Sequence, residues 1–460
     1  MLLFATLALA RPTEGGSWAF DETDTVVTYD SEQGLVRVWY SVEGNNAVDL
    51  DDVDGSGVPD FVEAVGASSE NVLLVYETAG FRLPLSDEGK GGSNALDAYL
   101  VDFGGDADGM WASECGGSSG ACSGYFTMEN DFAGYGYGDL DEAVRVLTSH
   151  ELFHGVQAAY AQSEAVWFLE GTATWAEHLY DPYNDDFIRF CSYYIDDAGR
   201  SLSEPPAGPV PAFAYATALW WFHLAERHGE AVMVEMMEAF ADHPDDDELL
   251  VAMSEIEAAH DSTLWDDFSE FSMRNLATGD RAGAYTGEYP FAAELREVKD
   301  EEAGTSFNVE DRVYPLATVY YELDWAGGDL YFAMAEDAPD LFVSVHALDA
   351  EGRALDATYF PEPGPVSQSV SAEAGTYWIV LSNPSLADDS TKVPTCIGTA
   401  ADIEPCLPDE VDTGDDTAGG DDDTGETGSG CGCTSAPAVP LATAVMLGLG
   451  LVTRRRRGLG

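Results

Sequence analysis

The chain has 460 residues, 45% of them hydrophobic and 11% aromatic, so most of it can bury a core, and a wholly disordered protein is excluded. It carries 19 Lys and Arg against 85 Asp and Glu, a formal net charge of −66. Acid at that density repels nucleic-acid phosphates and anionic lipid, so neither is an expected partner of the main body, whereas divalent cations and a salty medium suit it.

The elements are expected in the following order. Residues 1–10, MLLFATLALA, form an apolar run ending in Ala-Leu-Ala, the hydrophobic part and cleavage site of an export signal without its basic start; a buried N-terminal strand is the alternative. Thr25 to Val42 reads as two strands joined by a turn. Residues 52–63 fit a twelve-residue calcium loop, with Asp52, Asp54, Ser56, Asp60 and Glu63 offering oxygens at positions 1, 3, 5, 9 and 12, Gly57 at 6 and the Val58 carbonyl at 7. One structural Ca2+ is the expectation, and an acidic turn capping the next helix is the alternative. Phe61 to Thr78 follows as a helix and Leu96 to Phe103 as a strand, then a Gly-rich loop from Gly104 to Gly124 and a short strand from Tyr125 to Met128.

Helices are expected over Leu140 to Gln162, Ala165 to Leu179, Ala212 to His228, Glu230 to Phe240 and Asp246 to His260. Strands first and helices later, with little alternation, predict an α+β domain over about 17–300. VYYELDW, LYFAMA, LFVSVHAL and TYWIVLSN then predict a small β-sandwich over 306–400. Residues 407–430, almost wholly Asp, Thr, Gly and Glu, cannot bury apolar surface and read as a disordered linker. Residues 431–460 hold Cys431 and Cys433, an apolar span from Ala436 to Val452 and the basic run Arg454 to Arg457. Of the seven cysteines, Cys115 with Cys122 and Cys396 with Cys406 bracket short loops, and Cys191 stands alone. That usage fits an oxidising compartment, but the pairing stays open.

The residues that carry chemistry begin at His150-Glu151-Leu152-Phe153-His154. Two imidazoles four apart on a helix lie on one face and can share a zinc ion, with Glu151 within reach of its water. Val146, Leu147, Phe153 and Val156 give the helix an apolar face to bury. A third protein ligand is needed, and Glu164, Glu170 and Glu177 all follow within reach. The segment Leu169-Glu170-Gly171-Thr172-Ala173-Thr174-Trp175-Ala176-Glu177 resembles the Asn-Glu-Gly-x-Ala-x-x-x-Glu of zinc aminopeptidases, within the gluzincin class.

That resemblance implies a zincin-like catalytic domain, Glu170 as third ligand, Glu151 as general base and Glu177 as an orienting partner. Leu169 stands where those enzymes have Asn, and the gap from His154 to Glu170 is shorter than theirs. Pro211 to Tyr215, leading into ATALWWFHL, resembles the segment whose Tyr stabilises the oxyanion, so Tyr215 takes that role, with a core aromatic beside Trp220 and Trp221 as the alternative. Phe126 to Asn130 resembles the Gly-x-Met-Glu-Asn strand, which would give Glu129 to a substrate amine; an edge strand pairing with an extended substrate is the favoured reading of that segment.

The tail resembles the tripartite sorting signal of myxobacterial surface proteins, and the order of segments resembles that of myxobacterial metallopeptidases. Together these imply an exported or surface-anchored zinc peptidase, with one catalytic Zn2+, a protein or peptide substrate, and membrane contact only through the C-terminal segment. An endopeptidase is the expectation. The rivals are an aminopeptidase using Glu129 and a surface adhesin with a degenerate zinc site.

Overall fold

Strands rich in β-branched and aromatic residues open the chain. Val26–Asp30 (β1) and Val36–Ser41 (β2) form an antiparallel hairpin, followed by Leu96–Val101 (β3), Gly109–Ser113 (β4) and Gly124–Glu129 (β5). The computed structural model describes residues 10–15, 18–115, 120–163, 165–203, 212–299, 302–311, 313–334, 341–359, 368–386 and 393–407. The segment up to Leu9 that was expected to be an export signal, Glu164, the acidic stretch beyond Leu407 and the whole C-terminal tail lie outside them. Among the described residues no helix is long and apolar enough to cross a membrane.

The first sheet runs β1-β2-β3-β5-β4, with β2, β3 and β5 parallel and β4 antiparallel at the edge. Its inner-facing residues, Val36, Val38, Ala98, Leu100, Phe126 and Met128, pack under the helices Asp60–Ala79 (α1) and Leu140–Tyr160 (α2). The opposite face buries Tyr99, Val101, Phe103 and Tyr125 beneath Trp18 and Phe20. There Arg11, 2% exposed, is bonded to Asp87, Asp97 and Glu114. A single guanidinium thus offsets three carboxylates that would otherwise repel, and ties the N-terminal segment to the sheet.

The remaining helices are Val166–Tyr180 (α3), Asp186–Ile195 (α4), Ala212–Ala216 (α5), Ala218–His228 (α6), Ala231–Asp242 (α7), Asp246–Ala259 (α8) and Leu264–Leu276 (α9). α3 packs between α2 and α6. Gly171 permits this approach, since a Cβ there would lie 2.2 Å from Thr217 Oγ1 and 2.6 Å from Trp221 Nε1. Trp167 and Trp221 stack at 5.3 Å in the same buried layer.

The later strands are Glu302–Gly304 (β6), Phe307–Asp311 (β7), Thr318–Trp325 (β8), Gly328–Met334 (β9), Phe342–Ala347 (β10), Thr358–Tyr359 (β11), Gln368–Ala372 (β12), Gly375–Ser382 (β13) and Val393–Gly398 (β14). They form two sheets, β11-β10-β13-β8-β6 and β12-β9-β14-β7. Tyr321, Leu323, Ile379 and Leu381 join Leu330, Phe332 and Ile397 in one core. The alternate residues Tyr320, Trp378 and Val380 face the other way and join the helical core instead. Tyr320 donates to the Ser272 carbonyl at 2.8 Å, and the Arg281 guanidinium lies 3.9 Å from the Trp378 ring. The strands are therefore built onto α9 rather than standing free.

The architecture is mixed α+β. The stretch expected as loop from 104 to 124 contains β4, and α4 and α9 were not anticipated. The helix expected over Ala212 to His228 breaks at Thr217. Cys115–Cys122 and Cys396–Cys406 are disulfide-bonded, and Cys191 is a free, buried thiol.

Candidate metal centre

α2 begins at Asp139, whose side chain accepts the Glu142 N–H, and carries His150 and His154 on one face. Their Nε2 atoms face each other at 3.1 Å. Glu170, from the first turns of α3, brings Oε2 to 3.3 Å from His150 Nε2 and 3.5 Å from His154 Nε2.

The outer nitrogens decide what these three atoms can be. His150 Nδ1 donates to Glu177 Oε1 at 2.7 Å, and His154 Nδ1 donates to Gln157 Oε1 at 2.7 Å. The Gln157 amide is oriented by giving its own Nε2 protons to the Leu169 carbonyl and to Thr172 Oγ1. With each neutral ring protonated on its outer nitrogen, both inner nitrogens are bare acceptors. Two lone pairs and a carboxylate oxygen then converge, an arrangement that a cation satisfies. These three also form a His/Glu group, with His150 buried and His154 and Glu170 partly buried, whose ligand atoms all lie within 4.8 Å of one another.

The charges agree. Burial pulls both imidazoles down, but Glu170 and, for His150, Glu177 override it and hold both pKa values above the ordinary histidine value. Burial works against Glu170 too, yet the two imidazoles hold it far below the usual carboxylate range. Protons and a metal ion therefore compete for this position.

Glu151 sits beside it. Burial pushes its carboxyl up to about 7, against the pull of His154 and His150. Its Oε2 has no hydrogen-bond partner among the described residues. Gly109 at the start of β4 makes room for this carboxylate, and Gly155 lets α2 lie on the Trp111 ring, 2.7 Å from where a Cβ would be. Tyr215, on α5, stacks on His150 at 5.5 Å, and burial followed by Glu170 and Glu151 raises its phenol well above the usual range.

A neighbouring group was not singled out from sequence. Tyr137 donates to Asp108 Oδ2 at 2.8 Å, and Arg189 Nη2 lies 3.0 Å from Asp186 Oδ2. Burial pushes Asp186 up to about 7 despite Arg189, with Glu177, Glu142 and Asp108 adding to the rise. The buried Phe187, Cys191, Tyr194 and Ile195 recur at helical spacing, the signal from which α4 could have been found.

One reading needs correction. The segment Phe126 to Asn130 is not an edge: β5 is paired on both sides, and the edge is β4. Glu129 is turned to local partners, its Oε2 accepting from the Phe103 N–H at 2.9 Å and the Tyr135 hydroxyl at 3.0 Å.

In the acidic loop, carboxylate oxygens of Asp52, Asp54 and Asp60 lie within 4.8 Å of one another. The Asp52 carboxylate accepts from the N–H groups of Gly55, Ser56 and Gly57, and the Ser56 hydroxyl donates to the Val58 carbonyl at 3.2 Å. Glu63 does not belong to that converging group. α1 starts at Asp60, which puts Glu63 in its first turn and near Tyr29.

No family model matches the chain, and no curated protein matches it.

Proposed function

We propose that the chain is an exported zinc-dependent peptidase with a zincin-like catalytic unit, acting within protein or peptide substrates. The observation that carries this is the convergence of His150 Nε2, His154 Nε2 and Glu170 Oε2, each an acceptor, with both imidazoles fixed from behind by Glu177 and Gln157. Zinc, when bound, supplies Lewis acidity toward the scissile carbonyl and toward water.

Glu151, with a carboxyl near 7, takes a proton from the attacking water and returns it to the leaving amine. Tyr215 keeps its proton because its phenol is raised, and donates it in a hydrogen bond to the oxyanion. The free side of β4 offers backbone groups to an extended peptide, which then runs past Glu151. Main-chain pairing of this kind recognises internal segments, and the engagement of Glu129 with Phe103 and Tyr135 speaks against amine capture. An adhesin with a structural zinc would have no use for a buried Glu151 whose Oε2 has no partner among the described residues.

Calcium is proposed for Asp52, Asp54 and Asp60, with the Val58 carbonyl, as a structural ion. Two disulfides support an oxidising, extracytoplasmic setting, with the tail from Cys431 as the sorting or anchoring element. The test is metal analysis with a casein hydrolysis assay. His150→Ala and His154→Ala should each lose zinc and turnover, and full zinc in both variants would refute the site.

A further inference from the structure

Tyr215 is flanked on both faces. Its ring lies 5.5 Å from His150 at 25° and 4.9 Å from Phe190 at 21°. The Arg189 guanidinium carbon lies over the Phe190 ring, 4.6 Å from its centroid, and 5.5 Å from that of Tyr137. Arg189 is held by Asp186 at 3.0 Å, and Tyr137 by its bond to Asp108. A series of contacts thus leads from the candidate metal centre through His150, Tyr215 and Phe190 to Arg189.

α5, which carries Tyr215, has only five residues. Its packing on α3 and α4 fixes the backbone but not the plane of the Tyr215 ring, which with one face bare can turn about both its side-chain torsions. Phe190 comes from α4, a separate helix anchored by the buried Phe187, Cys191, Tyr194 and Ile195. Offset stacking on a ring fixed from elsewhere is worth about 1 kcal/mol and restricts the plane of its partner.

We propose that Phe190 is a positioning residue: it holds the Tyr215 ring against His150 so that the hydroxyl stays directed at the centre, and Arg189, fixed by Asp186, holds Phe190 in turn. This rests on the reading of Tyr215 as the oxyanion donor.

The experiment compares Phe190→Ala, Phe190→Leu and Phe190→Tyr, each alone and with Tyr215→Phe, by zinc content, peptide hydrolysis and NMR of tyrosine-labelled protein. Phe190→Ala and Phe190→Leu should keep zinc and KM and lose kcat roughly tenfold, as expected for an ill-positioned donor. Phe190→Tyr, which retains the ring, should recover most of it. In the Tyr215→Phe background Phe190→Ala should cost nothing more, because its effect passes through Tyr215. The Tyr215 resonance, identified by its loss in Tyr215→Phe, should move toward the free-tyrosine position in the Ala and Leu variants. An equal loss of kcat in both backgrounds would overturn the proposal, as would an unmoved resonance. If wild type hydrolyses no peptide, the functional reading fails, and the NMR comparison alone decides whether Phe190 sets the Tyr215 ring.

Discussion

Gly109→Ala puts a methyl group between β4 and the carboxylate assigned as general base. The added Cβ would lie 2.6 Å from Glu151 Oε1, 2.6 Å from Leu147 Cδ1 and 3.1 Å from Glu151 Cγ. Ordinary contact begins at 3.4 Å, so both neighbours must retreat by about 0.8 Å. The backbone of β4 cannot take up the shift, because Gly109 is paired in register with Met128 of β5. The end of the Glu151 side chain can. Displacing a reacting group by about 1 Å costs on the order of a hundredfold in rate, equivalent to about 2.7 kcal/mol of transition-state stabilisation. Overpacking the buried Leu147 adds about 1 kcal/mol of lost stability. The variant should therefore melt a few degrees lower, hold a full complement of zinc because neither imidazole is touched, and lose kcat with little change in KM. Parallel measurement of zinc, melting temperature and peptide turnover reads all three. Wild-type kcat in a folded, zinc-loaded Gly109→Ala would refute the assignment of Glu151 in the position observed.

Three further outcomes follow from the same geometry. Glu177→Gln leaves a weaker acceptor for His150 Nδ1 and should reduce zinc affinity about 10- to 100-fold in a chelator competition; unchanged affinity would remove Glu177 from the site. Glu257 is fully buried with neither carboxylate oxygen partnered among the described residues, and burial, with Asp267, pushes its carboxyl from 4.5 to about 9. Because the folded pKa is the higher one, folding takes up a proton between those values; stability is fully present below the unfolded pKa and is lost as pH rises toward the folded one. Glu257→Gln should cancel that loss, gaining on the order of 4 kcal/mol near pH 8 relative to pH 5, and equal gains at both pH values in denaturant melts would contradict this. Calcium bound only to the folded state at a hundredfold excess over its dissociation constant adds about 2.7 kcal/mol. Asp54→Ala should lose the corresponding rise in melting temperature at fixed ionic strength, and equal calcium shifts in both proteins would reduce the effect to diffuse screening.

Local spacing carried the parts of the site that were legible. His150 and His154 share a helix face because they are four residues apart, which sequence alone specifies. The choice among Glu164, Glu170 and Glu177 is a matter of how α3 crosses α2, which sequence does not contain. The crossing brings Glu170 to both inner nitrogens and Glu177 to an outer one. Edge position was illegible for a similar reason. β5 has the stronger strand pattern, but β4, GMWAS, lies outside it in the sheet, and its Gly and Ser hide it in a glycine-rich stretch. In the later sheets the strands were readable and their surroundings were not. The unbroken apolar runs Val319 to Tyr321 in β8 and Tyr377 to Leu381 in β13, rather than alternating ones, are the trace of two covered faces, one on the second sheet and one on α9. Arg11 carried no signal in the sequence, because its three carboxylate partners are distant along the chain.

The central claim is that a buried carboxylate beside a two-histidine, one-glutamate centre drives peptide hydrolysis. The most direct test is Glu151→Gln, with zinc content and casein hydrolysis measured on the same preparation as wild type. A general base is not a ligand, so the variant should bind about one zinc per chain, as wild type does, and lose turnover by several orders of magnitude. Glu151→Gln that holds zinc and cleaves casein at the wild-type rate would contradict the account.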